Sequence, residues 1–526
     1  MDERNTPVSA QQPGAYPPQQ YPQPAYQTPY PPSEPPKQHL RFTAKDWIFA
    51  AVSLLLAWLC MTAYSAKGFL DHGAAGLAVA LFVTALLAAI LLRLGKAAKA
   101  DAFGVFCAVC ALLLGWSCFL CSNLWLYVLN AFAALCAVIL AAFSLSGQLR
   151  RAAATAGQFF EAIGLFFLSI FRYFPAPFQA LGTQMRGDRK RLGGVLIGLA
   201  CALPVLVIVL LLLSSADAVF GGIFTSISDW LRETNLLRWL WWLVRILFVA
   251  LLFCSGLYFL TQPRAAAAPQ APAQTQEQPA RSAAPFVTVL VLLNVVYAVF
   301  AVIQVVYLFG GAETAAMQGG YAQYARSGFF QLVAVAFINL VAVLLTALWL
   351  PRCEAGPRRA LQVLSLLLCA LTLVILASAV YRMGLYISVY GLSLLRLLTL
   401  WGMLVILAGL VAGAVKTLKP TFLFFRVFFI FALASWVLLN LACPARLIAE
   451  YNVSAYLSGA VETFDLSYVT DDLVFFHEAD VLHALRRLSG TGVYPDQTKL
   501  VEAIREIESH QGASPWAFLH IWDLVS

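Results

Sequence analysis

From Phe286 to Phe309 the chain runs without a charged residue, and after a polar loop it does so again from Phe329 to Leu350. About 20 apolar residues at roughly 1.5 Å rise each span the ~30 Å hydrocarbon core of a bilayer, so each run is long enough to cross one. Within that core every backbone polar group must be paired inside the protein, which restricts a crossing segment to a helix or a closed barrel. Uninterrupted apolar runs of this length select the helix. Of 526 residues 61% are hydrophobic and only 11% charged, whereas soluble domains are about one-quarter charged. The expected class is all-α: a polytopic transmembrane bundle of about eleven helices with a small helical, extracytoplasmic C-terminal segment.

Residues 1–46 form a tail rich in Pro, Gln and Tyr (Tyr16-Pro-Pro, Tyr30-Pro-Pro) with almost no aliphatic residues, a composition that cannot bury a core and reads as disordered and cytoplasmic. No cleavable export signal is expected, because the first apolar run begins only at Trp47. Residues 47–145 hold four spans, at 47–64, 74–92, 102–121 and 124–145. The segment 146–191 breaks the pattern with Arg150, Arg151, Arg172, Arg186, Arg189, Lys190 and Arg191 around a Phe-rich stretch. It reads as a basic interfacial helix on an anionic leaflet, with a re-entrant segment as the alternative. Membrane helices 5 and 6 follow within 192–260, at 192–213 and 239–260. An Ala, Pro and Gln-rich flexible linker occupies 261–285. Helices 7–11 fill 286–442, at 286–309, 328–350, 360–380, 392–415 and 421–442. Residues 443–526 are acidic and amphipathic at Asp480–Leu488 and Thr498–Ile507, the pattern of a helical cap.

Lys and Arg concentrate in the tail and in alternate loops, at 93–101, 146–191, 261–284, 351–359 and 416–420, and are sparse in the loops between. The positive-inside rule then puts the N-terminus in the cytoplasm and, after an odd number of spans, the C-terminus outside a cell membrane. The net charge of +8 follows from this distribution and forms no basic face, so nucleic acid is excluded as a partner.

Eleven cysteines include Cys107-x-x-Cys110 and Cys118-x-x-Cys121, which resemble a zinc ribbon. Yet they share one apolar helix whose first and last members stand ~21 Å apart along the axis, beyond the reach of one ion with ligands at about 2.3 Å. They are expected to pack, and no metal or cofactor is expected. His477-Glu478 and His483 lack the one-turn spacing of a zincin.

Polar residues inside the spans are few. Arg245 has external Asp217 and Asp229 as candidate partners; Arg426 lies near a helix end, where it can snorkel. Asn294, Tyr297 and Gln304 fall within an arc of about 80° on one helix, a stripe suited to interhelical hydrogen bonds or to a solute path. If the helix continued through Gly384 and Gly391, Arg382, Tyr386, Ser393 and Arg396 would share one face. Topology places Asp217, Tyr321, Tyr324, Arg326, Arg382, Tyr386, Tyr390 and Arg396 at the outer ends of helices. Arginines gathered at one surface repel unless an anion or a carboxylate offsets them, so these eight form a candidate ligand-binding pocket for an anionic group such as a phospholipid headgroup.

Ser214-Ser-Ala-Asp217 with Phe220, Tyr307-Leu-Phe-Gly-Gly311, Tyr321-Ala-Gln-Tyr-Ala-Arg-Ser-Gly-Phe-Phe330, Arg382-Met-x-x-Tyr386 with Tyr390-Gly-Leu392 and Arg396, and Tyr451-Asn452 leading to Asp465 and Tyr468 resemble, in that order, an uncharacterised family of bacterial multi-pass membrane proteins, described as a domain of unknown function (DUF 4153/4173-like). The resemblance covers about 190–480 and omits the first four helices, the tail and the linker. It implies a bacterial cytoplasmic membrane protein and supplies no reaction, ligand or catalytic residue.

The reading that follows is a non-enzymatic envelope binding or assembly protein with an external Arg/Tyr-lined surface, whose partners are anionic membrane lipids or another envelope protein. The alternative is a transporter of a small anionic solute or lipid, with Arg245, Arg382 or Arg396 as counter-ions. A membrane-embedded envelope-modifying enzyme comes third, since no nucleophile and base pair, metal-ligand set or phosphate-cradling loop is evident.

Overall fold

The computed structural model describes residues 42–64, 74–99, 101–120, 123–149, 156–179, 209, 236–262, 282–309, 329–350, 355–474 and 479–513. Among them the regular structure is helical, with no strand. The helices are α1 (Ala44–Tyr64), α2 (Ala74–Leu94), α3 (Ala102–Leu120), α4 (Leu124–Leu145), α5 (Ala156–Arg172), α6 (Leu236–Leu260), α7 (Ala284–Phe309), α8 (Phe329–Trp349), α9 (Ala355–Tyr390), α10 (Leu394–Leu418), α11 (Phe424–Leu441), α12 (Pro444–Leu457), α13 (Ala479–Thr491) and α14 (Gln497–Ala513).

The first eleven are long and apolar enough to cross a membrane. Their outer surfaces suit that solvent: α7 exposes Val289, Leu292, Val295, Val296, Val299 and Val302, a stripe at three- and four-residue steps that belongs against lipid. The set differs from the expected one in two places. The span at 192–213 lies, but for Val209, outside the described residues, as do the tail up to Arg41 and most of the linker. In its place α5, read from sequence as interfacial, qualifies by length and composition.

Contacts gather the helix ends into two groups. At one end, Arg93 near the end of α2 meets Asp46 in the first turn of α1 at 2.5 Å. Arg93 also donates to the Leu257 carbonyl (3.3 Å) and to Thr261 Oγ1 (3.0 Å) at the end of α6. Lys99 N donates to the Leu145 carbonyl of α4 at 2.8 Å, and Gln148 Nε2 to the Gln262 carbonyl at 2.9 Å. At the other end, Asn123 before α4 donates to the Leu473 carbonyl at 3.0 Å, and the turn between α9 and α10 meets α12. The first group joins the segments rich in Lys and Arg, and we call it the basic end; the other carries the C-terminal segment, the cap.

Among the described residues, beside a small cluster of Ala57, Ile246 and Ala250 between α1 and α6, there are two large apolar cores. One is built from α1–α6, the other from α7–α10 with the cap helices. Helix α11 follows the linker in sequence, yet its Leu433, Trp436 and Val437 belong to the first core. A buried polar knot fixes it there: Asn130 Nδ2 of α4 donates to Asn440 Oδ1 at 2.7 Å, Trp436 Nε1 donates to Asn130 Oδ1 at 2.9 Å, and Asn440 Nδ2 returns to the Trp436 carbonyl at 2.8 Å. Close approach also locks α2 to α3, since a Cβ on Gly76 would lie 2.5 Å from the Cys118 carbonyl oxygen. Cys107, Cys110 and Cys118 are buried in α3 as packing residues, with Cys121 outside the described residues.

The spans expected at 360–380 and 392–415 are longer than sequence reading gave them. Helix α9 runs 36 residues without a break at Gly384, about 54 Å at 1.5 Å per residue, so it exceeds the ~30 Å apolar core of a bilayer. It stops at Gly391, whose φ of 73° is a left-handed conformation that glycine adopts without cost and that commonly ends helices. In the cap, α13 docks on α12 and α14. Glu450 accepts from Arg487 at 2.9 Å and contacts His483 Nδ1 at 2.5 Å, and Arg486 pairs with Glu508 at 2.7 Å. Ile448, Val453, Leu485, Leu488 and Leu500 make the cap part of the second core.

Candidate functional site

The three residues between α9 and α10 turn the chain back on itself, so residues that a continuous helix would align along one face meet across a hairpin instead. Asn452 of α12 clamps the turn. Its Oδ1 accepts the Leu392 N–H at 2.6 Å and its Nδ2 donates to the Leu392 carbonyl at 2.8 Å. Ser393 caps α10 by accepting the Arg396 N–H at 3.4 Å, and the Tyr468 hydroxyl accepts the Leu394 N–H at 2.8 Å. The orphan N–H groups that open every helix are thus met partly from the cap.

Arg396 then reaches back over the turn. Its Nη1 donates to the Tyr390 carbonyl at 2.9 Å and also to the Gly391 carbonyl, placing a cation where the last carbonyls of α9 concentrate negative potential. The guanidinium carbon stands 4.2 Å from the centroid of the Tyr386 ring, a cation–π contact. The Tyr386 and Tyr390 rings lie 5.1 Å apart.

Beside this cluster is a cavity of about 250 Å³ lined by Tyr390, Ser393, Arg396, Asn452, Asp465 and Tyr468, with Phe464 and Thr463. The Asp465 carboxylate is held by Ser467 Oγ (2.8 Å) and the Tyr468 N–H (3.0 Å). Burial pushes the Tyr468 phenol above its ordinary value; the Leu394 N–H and the charge of Arg396 oppose the shift, and Asp472 and Asp465 reinforce it. The phenol is therefore neutral at physiological pH. The cavity offers one guanidinium, one carboxylate and several hydroxyl and amide groups, which suits a small polar ligand carrying an anionic group.

Of the eight residues expected at one external pocket, Tyr386, Tyr390 and Arg396 are brought together. Arg382 is half-buried one turn before Tyr386 on α9. Asp217, Tyr321, Tyr324 and Arg326 lie outside the described residues. Asn452, Asp465 and Tyr468 were absent from that expected set and line the cavity; their signal was the Tyr451-Asn452 to Tyr468 piece of the family resemblance.

The intramembrane polar residues have separate settings. Arg245 is exposed on α6, and its expected partners Asp217 and Asp229 lie outside the described residues. Asn294 is buried and donates to the Leu290 and Leu364 carbonyls at 2.8 and 3.0 Å, tying α7 to α9. Tyr297 packs half-buried against the second core, and the Gln304 side chain is not among those described. Arg426 sits in the first turn of α11 with its guanidinium 5.5 Å from the Phe103 ring. The Asp46–Arg93 pair went unforeseen because each residue stands one position outside the apolar run it terminates.

Residues 108–487 match a sequence family described as Domain of unknown function (DUF4153). The match reaches further upstream than the resemblance read from motifs and takes in most of α3 and all of α4. No curated protein and no solved structure matches the chain.

Proposed function

The chain belongs to the DUF4153 family, and from that premise we propose that it is a non-enzymatic membrane binding or assembly protein whose ligand site is the cavity beside the α9–α10 turn. The observation that carries this reading is convergence: two stretches far apart in sequence, Tyr386–Arg396 and Asn452–Tyr468, supply Arg396, Tyr390, Asn452, Asp465 and Tyr468 to one cavity. Its volume of about 250 Å³ falls just below the roughly 300–1,000 Å³ of clefts that enclose drug-sized ligands. It suits a phosphate-bearing headgroup rather than a whole metabolite. The guanidinium supplies charge, and the hydroxyl and amide groups supply orientation. The expected setting is a cell membrane with the cap outside and the N-terminus in the cytoplasm.

The test is native mass spectrometry of the protein purified in mild detergent, with lipid and metabolite identification of what it retains. A phosphate-bearing species held by the unaltered protein and lost in Arg396→Gln and Tyr468→Phe is the expected result. Equal retention by the unaltered protein and both variants, or retention of no anionic species, overturns the assignment of this cavity.

A further inference from the structure

By length and composition α5 is one of the eleven helices able to cross a bilayer, but its neighbours hold both of its ends at one depth. At its start the Phe159 ring lies 4.8 Å from Phe429. Phe429 in turn stands 5.9 Å from Phe103, which is the second residue of α3. Phe429 lies five residues into α11, about 7.5 Å from the basic end at 1.5 Å per residue. Near the far end of α5, the Ser169 and Ile170 carbonyls accept from Ser255 Oγ at 2.6 and 2.8 Å. Ser255 is five residues from the end of α6, again about 7.5 Å from the basic end. Tyr173 then meets Tyr258 at 5.3 Å, and only past it does Phe174 turn inward to Phe248 at 6.1 Å. A helix of 17 residues that crossed would carry its second end about 25 Å towards the cap.

Its surface matches that placement. Phe160, Ile163, Phe167 and Phe171 are exposed, at 73%, 52%, 54% and 69%, and their spacing of three, four and four residues makes one stripe. Ala162 and Ser169 are buried against the bundle. Arg172 is exposed beside the stripe, and in sequence Arg150 and Arg151 precede the helix.

We infer that α5 lies in the plane of the membrane at the basic end, with its phenylalanine stripe sunk into the boundary between headgroups and acyl chains of an anionic leaflet. An apolar helix face inserts to ~5–10 Å at such a boundary, and nearby Lys and Arg side chains are attracted to anionic lipid. The inference is independent of the cavity at the opposite end and adds a lipid-binding surface to it.

The test uses the full-length protein in oriented vesicles. Cysteines placed by Gly157→Cys and Arg172→Cys, read against the unaltered chain as background, should react with an impermeant thiol reagent from the same side as Ser282→Cys, at the basic end, and not from the side of Ala460→Cys, in the cap. Labelling of the two positions from opposite sides overturns the inference. A spin label at Phe167→Cys should show the relaxation behaviour of a shallow site, and a reading at the bilayer centre overturns it equally. A fluorophore at the same cysteine should be quenched more by phosphatidylglycerol carrying a headgroup quencher than by phosphatidylcholine carrying the same group; equal quenching overturns the anionic assignment.

Discussion

Asn452 is the side chain on which the α9–α10 turn most depends, because it satisfies both backbone groups of Leu392. Truncating it strands an N–H and a carbonyl, at about 1–3 kcal/mol for a buried unsatisfied group. Asn452→Ala should therefore lower the thermal unfolding midpoint in detergent by several degrees, and Asn452→Asp, which keeps the acceptor, by less. Gly391→Ala should be comparably damaging: its φ of 73° disfavours a side chain by roughly 1–2 kcal/mol, and the new Cβ would lie 2.7 Å from Asn452 Oδ1. Tyr468 gives this corner a pH dependence. It is an acid whose folded value is raised by burial, so its contribution is intact below the ordinary phenol value of about 10 and is lost as pH rises through the folded value. The thermal unfolding midpoint should therefore hold through neutral pH and fall only in strong alkali, and Tyr468→Phe, which removes the acceptor of the Leu394 N–H, should speed hydrogen exchange at Leu394. At this scale sequence reading named Tyr386, Tyr390 and Arg396 because outward-facing Arg and Tyr are conspicuous at helix ends. It could not pair them with Asn452, which is an ordinary polar residue until the hairpin brings it within 3 Å of Leu392.

Among helices, the Asp46–Arg93 ion pair fastens α1 to α2, with side chains only 6% and 8% exposed. Asp46 also accepts from Thr43 N at 2.6 Å and from Thr43 Oγ1 at 2.7 Å, a capping arrangement that fixes the carboxylate before the arginine meets it. Breaking a buried pair by removing one partner costs about 3–5 kcal/mol, whereas removing both charges is often far milder. Asp46→Asn and Arg93→Gln should each depress the unfolding midpoint strongly, and the double variant should recover much of the loss; losses that simply add would mean the two charges do not couple. The α4–α11 knot is weaker individually, since interhelical hydrogen bonds in membranes average about 0.6 kcal/mol and reach about 1.7. Asn130→Leu should nevertheless loosen α11 selectively, seen as increased exchange from Phe424 to Leu441. The existence and order of most spans were legible in charge-free runs, as was the cap's amphipathic pair. The length of α9 was not, because the polar residues Tyr381, Arg382 and Ser388 look like a loop when a helix emerges from the apolar layer without ending.

For the molecule as a whole, the Pro and Ala-rich linker is a boundary in sequence but not in packing. Composition divides the chain there because Pro, Ala and Gln cluster there; α11 lies beyond that division and returns to the first core, which its apolar run, broken only by Arg426, Ser435 and Asn440, does not reveal. Among the described residues, side-chain ties that include Asn130–Asn440, Asn130–Trp436, Asn123–Leu473, Phe103–Phe429 and Phe159–Phe429 bind the segment before the linker to the segment after it. None of them involves a residue of 263–281. The assembled bundle is therefore expected to hold together without covalent continuity through that stretch. Two co-expressed polypeptides, one ending near Ala273 and the other beginning there, should find each other in the membrane and co-purify, and Asn130→Leu with Trp436→Phe should part them. The gene for such a protein could be broken in two without breaking the machine.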